Sequence, residues 1–238
     1  MNAQEFRTRF MVQRQAKHHG LAGAGHERQA AVLISLWQPP VGNNLPPASS
    51  RNLPQSNQSQ LNMPQLNTAQ RGNTLGNSVH SNFAYSNSSE LQLILTRRAS
   101  HLNAHPGQIS FPGGKRDQQD ISLTATALRE ATEEIALPAS QVEVLGKLPV
   151  HHTITGFAIT PVIGLVSGPF EPVVDPGEVA ECFTVPWRFL LNPANRHLKT
   201  FKRKGHAMEL CFIPWQDKFI WGATAAMIDQ LCRQMASH

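Results

Sequence analysis

No apolar run in this chain approaches the roughly 20 residues that a membrane-spanning helix requires. The opening residues, MNAQEFRTRFMVQRQAKHHG, carry basic side chains and two phenylalanines. They contain no apolar core followed by a small-residue cleavage site, so they do not read as a secretory signal. Cysteine is scarce. Cys182, Cys211 and Cys232 are three in number and far apart. That spacing excludes a paired Cys-x-x-Cys metal site and a disulfide framework, and it fits core thiols in a reducing cytoplasm. The apolar fraction, 40%, is low for a compact protein. One segment accounts for the shortage. Gln38 to Ser89 is packed with Asn, Ser, Gln and Pro and has almost no aromatic residues. Such a stretch cannot bury enough apolar area to offset the entropy of ordering it, so disorder is expected there. Acidic residues are fewer than basic ones, 16 against 21, for a net charge of +5.

At 238 residues the chain can bury a core in one domain. The rest reads as mixed α and β, without an internal repeat. Glu5–Gln15 and Thr124–Ile135 have helical patterning, and Pro138 stops the second helix. Ala30–Trp37, Glu90–Thr96, Val142–Leu148, Ala158–Val166 and Ala180–Pro186 read as strands. Trp187–Asn192 lies between prolines as a short helix. Lys199–Lys202 and Met208–Pro214 flank Lys204-Gly205, a hairpin signal. Thr224–Met235 reads as a terminal helix.

Basic residues gather in Arg196 to His206 and at Arg97, Arg98, Lys115 and Arg116. Nucleic acid, a small polyanion and a plainly solvated face are the three readings of such a balance. The small anion ranks first because part of the basic set abuts an acidic motif.

That motif lies in FPGGKRDQQDISLTATALREATEEIAL, Phe111 to Leu137. Two glycines open it, Asp120 follows, and then Arg129, Glu130, Glu133 and Glu134 arrive together. On a helix, residues three and four apart share a face, so the three glutamates are expected on one side, opposite Ala127, Leu128, Ala131 and Ile135. Like charges at that spacing repel. A hard divalent cation converts the repulsion into a binding site.

The pattern resembles the Nudix box. Gly114, Arg129, Glu130, Ala131, Glu133, Glu134 and Leu137 match it. Asp120 stands where the family has glutamate, one residue more than the family pattern separates it from Arg129, and Ala136 replaces the final glycine. Ile94 to Gly114, ILTRRASHLNAHPGQISFPGG, is similar to the extension of the coenzyme A pyrophosphatase subgroup, with Ala99 and Asn103 as departures.

The resemblance implies the Nudix α/β/α sandwich with a mixed sheet. The organisation is then 1–37 as first helix and strand, 38–89 as a low-complexity insertion between adjacent strands, and 90–238 as the remainder. It implies a metal-dependent pyrophosphohydrolase that uses Mg²⁺ or Mn²⁺. Glu130, Glu134, Glu133 and the Gly113 carbonyl are then candidate metal ligands, and Arg129 holds Glu133. The general base is open between Glu130, Glu178 and Glu181. Arg98, His105 and Lys115 are candidate substrate contacts. The implied substrate is coenzyme A or a derivative, cleaved to 3′,5′-ADP and 4′-phosphopantetheine, with neither nucleic acid nor a membrane span involved. A homodimer is compatible with this reading. Two rivals stand beside it: the same chemistry on ADP-ribose or a nucleoside triphosphate, and a Nudix-fold protein that binds nucleotides without catalysis.

Overall fold

Ten residues rich in branched and aromatic side chains, Arg28–Trp37, form strand β1, on which the sheet is organised. The computed structural model describes residues 1–13, 27–40, 90–203 and 206–236. Nearly all of the expected insertion lies outside the described residues, as do the hairpin turn at Lys204-Gly205 and the last two residues expected of the first helix.

Helix α1 spans Ala3–Gln13. After β1 come β2 (Gln92–Arg98), β3 (Ile109–Ser110) and β4 (Gly113–Lys115). Helix α2 covers Leu123–Ile135. Strands β5 (Val142–Lys147), β6 (His151–His152), β7 (Phe157–Val166) and β8 (Val179–Pro186) follow. Helix α3 is Trp187–Leu191. Strands β9 (His197–Arg203), β10 (His206–Trp215) and β11 (Lys218–Trp221) precede helix α4, Gly222–Ala236. The expected long elements all form. The short strands β3, β4, β6 and β11 were not anticipated, because two to four residues carry too little periodicity to stand out.

Among the described residues the main sheet has eight strands and is mixed. β1 and β7 run parallel through ten paired positions, from Arg28 beside Phe157 to Trp37 beside Val166. β1 pairs antiparallel with β2 and with β4. The strands on either side of the expected insertion are therefore direct neighbours. A second sheet of three antiparallel strands is ordered β11-β10-β9.

Alternation along β1 divides the core. Ala31, Leu33 and Trp37 join Ala127, Ala131 and Ile135 of α2 on one face. Ile34 and Leu36 join Phe6 and Phe10 of α1 and Ile228 and Leu231 of α4 on the other. A strand with two buried faces reads as a continuous apolar run, and that is how residues 30–37 read in sequence. The result is helix, sheet, helix.

Helix α2 begins at Ser122, whose side-chain oxygen accepts from the Ala125 N–H at 3.1 Å. It ends at Ala136 in the left-handed region, φ 54°. There the Leu137 N–H donates to the Ala131 carbonyl and the Ala136 N–H to that of Thr132. The Ala136-to-Thr132 bond is the αL closure, with alanine in the place that favours glycine.

Candidate functional site

Strand β4 and helix α2 build the site between them. Gly113 lies opposite Val32 of β1, and Gly114 opposite Ala31. The Leu33 N–H bonds the Pro112 carbonyl, and the Arg116 N–H bonds that of Gln29. Hydrogen-bonded pairs alternate in an antiparallel ladder, so Gly113 falls between them and turns its own N–H and C=O away from β1. A side chain at Gly113 would overlap the backbone of Ala31 and Val32. One at Gly114 would overlap the carboxylate of Glu130. The two glycines serve different ends: the first lets strands approach, and the second leaves room for an acid.

Glu134 is the central residue. It is only 4% exposed, on the same side of α2 as Ala127, Ala131 and Ile135. This corrects the expectation that the glutamates stand opposite the apolar side. Its Oε2 has no hydrogen-bond partner among the described residues. Burial first, then the charges of Glu130 and Glu178, push its carboxyl up to about 8, while the Gly113 N–H and Arg98 pull it back. Burial also raises Glu130, with Arg129 opposing and Glu133 and Glu178 assisting.

Glu133 goes elsewhere. Successive residues on a helix are about 100° apart, so packing Glu134 inward turns Glu133 toward water. Its side chain is 59% exposed and its Oε2 lies 2.8 Å from Arg129 Nη1. Among the described residues, no three His, Cys, Asp or Glu side chains are gathered as a ready cation cage. Glu130 and Glu134 lie one turn apart on α2 and feel the charge of Glu178, short of a closed cluster, while Glu133 is turned to Arg129.

Arg129 knits the acids. Its Nε and Nη2 donate to Asp120 Oδ1 and Oδ2, each at 3.1 Å. Nη2 also lies 3.0 Å from Glu130 Oε1 and donates to the Lys115 carbonyl at 3.2 Å. The guanidinium, aided by the Asp117 N–H, holds the Asp120 carboxyl well below the usual carboxylate range.

The segment before the glycines supplies a cation. Strand β2 places Leu93 and Leu95 in the core shared with α4, so Arg97 follows that face and Arg98 the opposite one. A bulge against β8 falls between Arg97 and Arg98. Bulges of this kind re-aim side chains beside functional sites. Arg98 Nε bonds the Ala104 carbonyl at 3.4 Å, and its charge favours ionised Glu134. His105 is exposed at a left-handed turn, φ 55°, in the loop after β2.

Two candidate bases separate clearly. Glu181 of β8 is tied to Lys218 Nζ at 3.1 Å and to Arg97 Nη2 at 3.1 Å, on the α4 face. Glu178 is exposed and its field reaches both Glu130 and Glu134. Its loop is anchored: the Ala99 N–H donates to the Glu178 carbonyl at 2.8 Å, and the Asp175 N–H to the Glu134 carbonyl at 3.0 Å.

The NUDIX domain model matches residues 82–204, more than half of the chain. The chain belongs to the Nudix family.

Similar Nudix proteins include an uncharacterized Nudix hydrolase, NudL, of Enterobacter sp. (strain 638). It is 42% identical over 143 residues, 60% of this chain and 74% of that protein. A protein of the same name from Yersinia pestis (strain Pestoides F) is 43% identical over 147 residues, covering 62% and 74%. Among solved structures, the MutT protein of Methanosarcina mazei Go1 aligns over 90% of this chain and 100% of its own at 11% identity and a TM-score of 0.46.

One basic residue near the Nudix helix was not anticipated from the sequence. Arg28 of β1 lines a common cleft with Lys115 of β4 and Arg116. Arg28 lies far from the other two in the chain, and no spacing rule links it to them. Among the described residues no helix is long and apolar enough to cross a membrane.

Proposed function

We propose that this Nudix protein hydrolyses the diphosphate bond of coenzyme A and its derivatives with Mg²⁺ or Mn²⁺, releasing 3′,5′-ADP and 4′-phosphopantetheine or its acylated form. The observation that carries the cation-assisted reading is the buried Glu134 carboxylate, whose Oε2 lacks a partner among the described residues. A buried acid that feels the charge of two further carboxylates is costly unless a cation neutralises it. The donor set is all oxygen, the chemistry that hard divalent ions take. The glycine that leaves room for Glu130 adds to the fit.

Glu134, Glu130 and the Gly113 carbonyl are the residues that would hold the ion, with Glu133 joining them or holding a second one. When bound, the cation sets positive charge against the diphosphate oxygens and acidifies water. Glu178 is our choice for the base that takes a proton from the attacking water, since it is exposed while its charge is felt by Glu130 and Glu134. Glu130 is the alternative. Arg129 keeps Glu130 and Glu133 in place. Arg98 offers a planar fork to phosphate oxygens, and Lys115 and His105 complete the substrate contacts. The choice of coenzyme A rests on the similarity of Ile94 to Gly114 to that subgroup's extension. The three cysteines are free, buried thiols, in keeping with the cytoplasm as the site of action.

The test is turnover of coenzyme A with Mg²⁺, with products identified by mass, beside ADP-ribose and a nucleoside triphosphate. Release of 3′,5′-ADP is expected. Faster turnover of either competitor overturns the substrate assignment. The dispersed carboxylates favour one second reading, a nucleotide binder without catalysis. That reading requires no stabilisation by Mg²⁺ in a thermal melt.

A further inference from the structure

Beyond the carboxylates, β4 leads into a cleft of about 530 Å³ lined by Arg28, Gln29, Lys115, Arg116, Asp117 and Gln118. None of Glu130, Glu134 or Glu178 lines it. It lies beside the proposed reaction site, at the end of β1 where Arg28 pairs with Phe157 of β7 and Ala30 with Lys115 of β4. Lys115 is two residues beyond Gly113, roughly 7 Å along an extended strand.

Three cations meet there. The Arg28 guanidinium lies 4.0 Å from the centroid of the Phe157 ring, and Lys115 Nζ lies 6.0 Å from the same centroid. Two positive charges thus converge on one aromatic ring. Arg116 is pinned alongside: Nη1 donates to Gln29 Oε1 at 3.0 Å and Nη2 to the Asp120 carbonyl at 3.2 Å. Arg28 Nη2 is held by the Thr155 carbonyl at 2.9 Å. Among the described residues, no carboxylate forms an ion pair with any of the three. Asp117 also lines the cleft, with its Oδ1 accepting from the Gln119 N–H. The neighbouring Glu27 is engaged by His152, Nδ1 to Oε2 at 2.6 Å.

Like charges brought together without counterions destabilise a fold and raise the local concentration of anions. Guanidinium groups already fixed by backbone and amide contacts present their remaining N–H groups with little further loss of entropy. The cleft is thus organised for a doubly charged oxyanion rather than for a neutral group.

We infer that Arg28, Lys115 and Arg116 form a second phosphate subsite, which recognises a phosphomonoester carried about one sugar away from the diphosphate. The inference deepens the reading of the neighbouring site as one for nucleoside diphosphate derivatives. It restricts the substrate class to nucleotides phosphorylated on the ribose as well as at the 5′ position.

Coenzyme A and 3′-dephospho-coenzyme A differ by that one group. Calorimetric titration of the full chain without divalent ions compares their binding in the absence of turnover. Coenzyme A is expected to bind about 10-fold more tightly, in line with one charge-assisted contact set, and the preference should shrink as salt is raised. In Arg28→Gln/Lys115→Gln the two compounds should bind equally, because the affinity for coenzyme A falls to that for the dephospho form. If Arg28→Gln prevents folding, Lys115→Gln alone should reduce the preference. Equal binding by the unaltered protein, no binding of either compound, or a preference that survives in the variants would overturn the subsite. Loss of the catalytic reading would look different: discrimination in binding would persist while coenzyme A went uncleaved.

Discussion

Arg129 and Asp120 face each other through two parallel hydrogen bonds, Nε to Oδ1 and Nη2 to Oδ2, both 3.1 Å. Asp120 is the shorter acid and its loop is one residue longer than the family pattern, yet the fork is fully engaged. Neither departure prevents the paired contact. Asp120→Glu, which restores the family residue, is therefore expected to gain no activity. An extra methylene at a site 7% exposed should lower stability by about 1–3 kcal/mol through overpacking. Thermal melts and kcat/KM measured together check this.

Glu134→Gln and Glu133→Gln should part company. Glu134 is buried and lacks a partner on one oxygen, whereas Glu133 is exposed and paired with Arg129. We expect Glu134→Gln to reduce turnover by more than about 100-fold, beyond the loss usual for groups that only orient metal ligands. Glu133→Gln should retain a larger share. An active Glu134→Gln enzyme would remove that residue from the ion site.

Without divalent ions, stability should fall as pH rises. The Glu134 carboxyl is pushed from 4.5 to about 8 in the folded state. A group whose folded value is raised binds its proton more tightly in the native state. Its stabilisation is complete below pH 4.5 and is lost as pH climbs toward 8. The loss amounts to a few kcal/mol at most, at about 1.4 kcal/mol per tenfold change in proton affinity. Melting curves from pH 5 to 8 should show the decline. Glu134→Gln should flatten it, and Mg²⁺ should reverse it in the unaltered protein.

The glycine pair predicts two distinct failures. Gly114→Ala meets only the movable end of Glu130, so the protein should fold while its activity drops. Gly113→Ala meets backbone atoms of Ala31 and Val32, which cannot move aside without distorting β1. Its loss should appear as a lower melting temperature.

Ala136→Gly should stabilise the protein. Ala136 holds φ 54° at the end of α2, and the left-handed region costs a residue with a side chain roughly 1–2 kcal/mol. Relief of that strain raises Tm by roughly 2–4 °C per kcal/mol in a chain of this size. Activity should be unchanged.

Much of this was legible in residue order. Helix α2 followed from its 3.6-residue pattern and from Pro138 beyond it, and β1, β2, β7 and β8 from runs of branched residues. Spacing put Glu130, Glu133 and Glu134 on one helix, and the resemblance to the Nudix box proposed them and Arg129 as site residues. What spacing could not reveal was which glutamate would be inside. A period places residues on a helix face but does not say how far the buried arc extends, and packing against β1 drew Glu134 within it.

Near-neighbour chemistry is written into the chain itself: helix, strand, cap, and the order of acids on α2. Convergence of distant residues is not. The charge of Glu178 is felt by the α2 acids, and the Ala99 N–H and the Glu134 carbonyl anchor its loop. Arg28, Lys115 and Phe157 meet because β7 runs parallel to β1 while β4 runs antiparallel to it. Those pairings depend on the burial of both sheet faces at once, a cooperative property of the folded core that no local window contains.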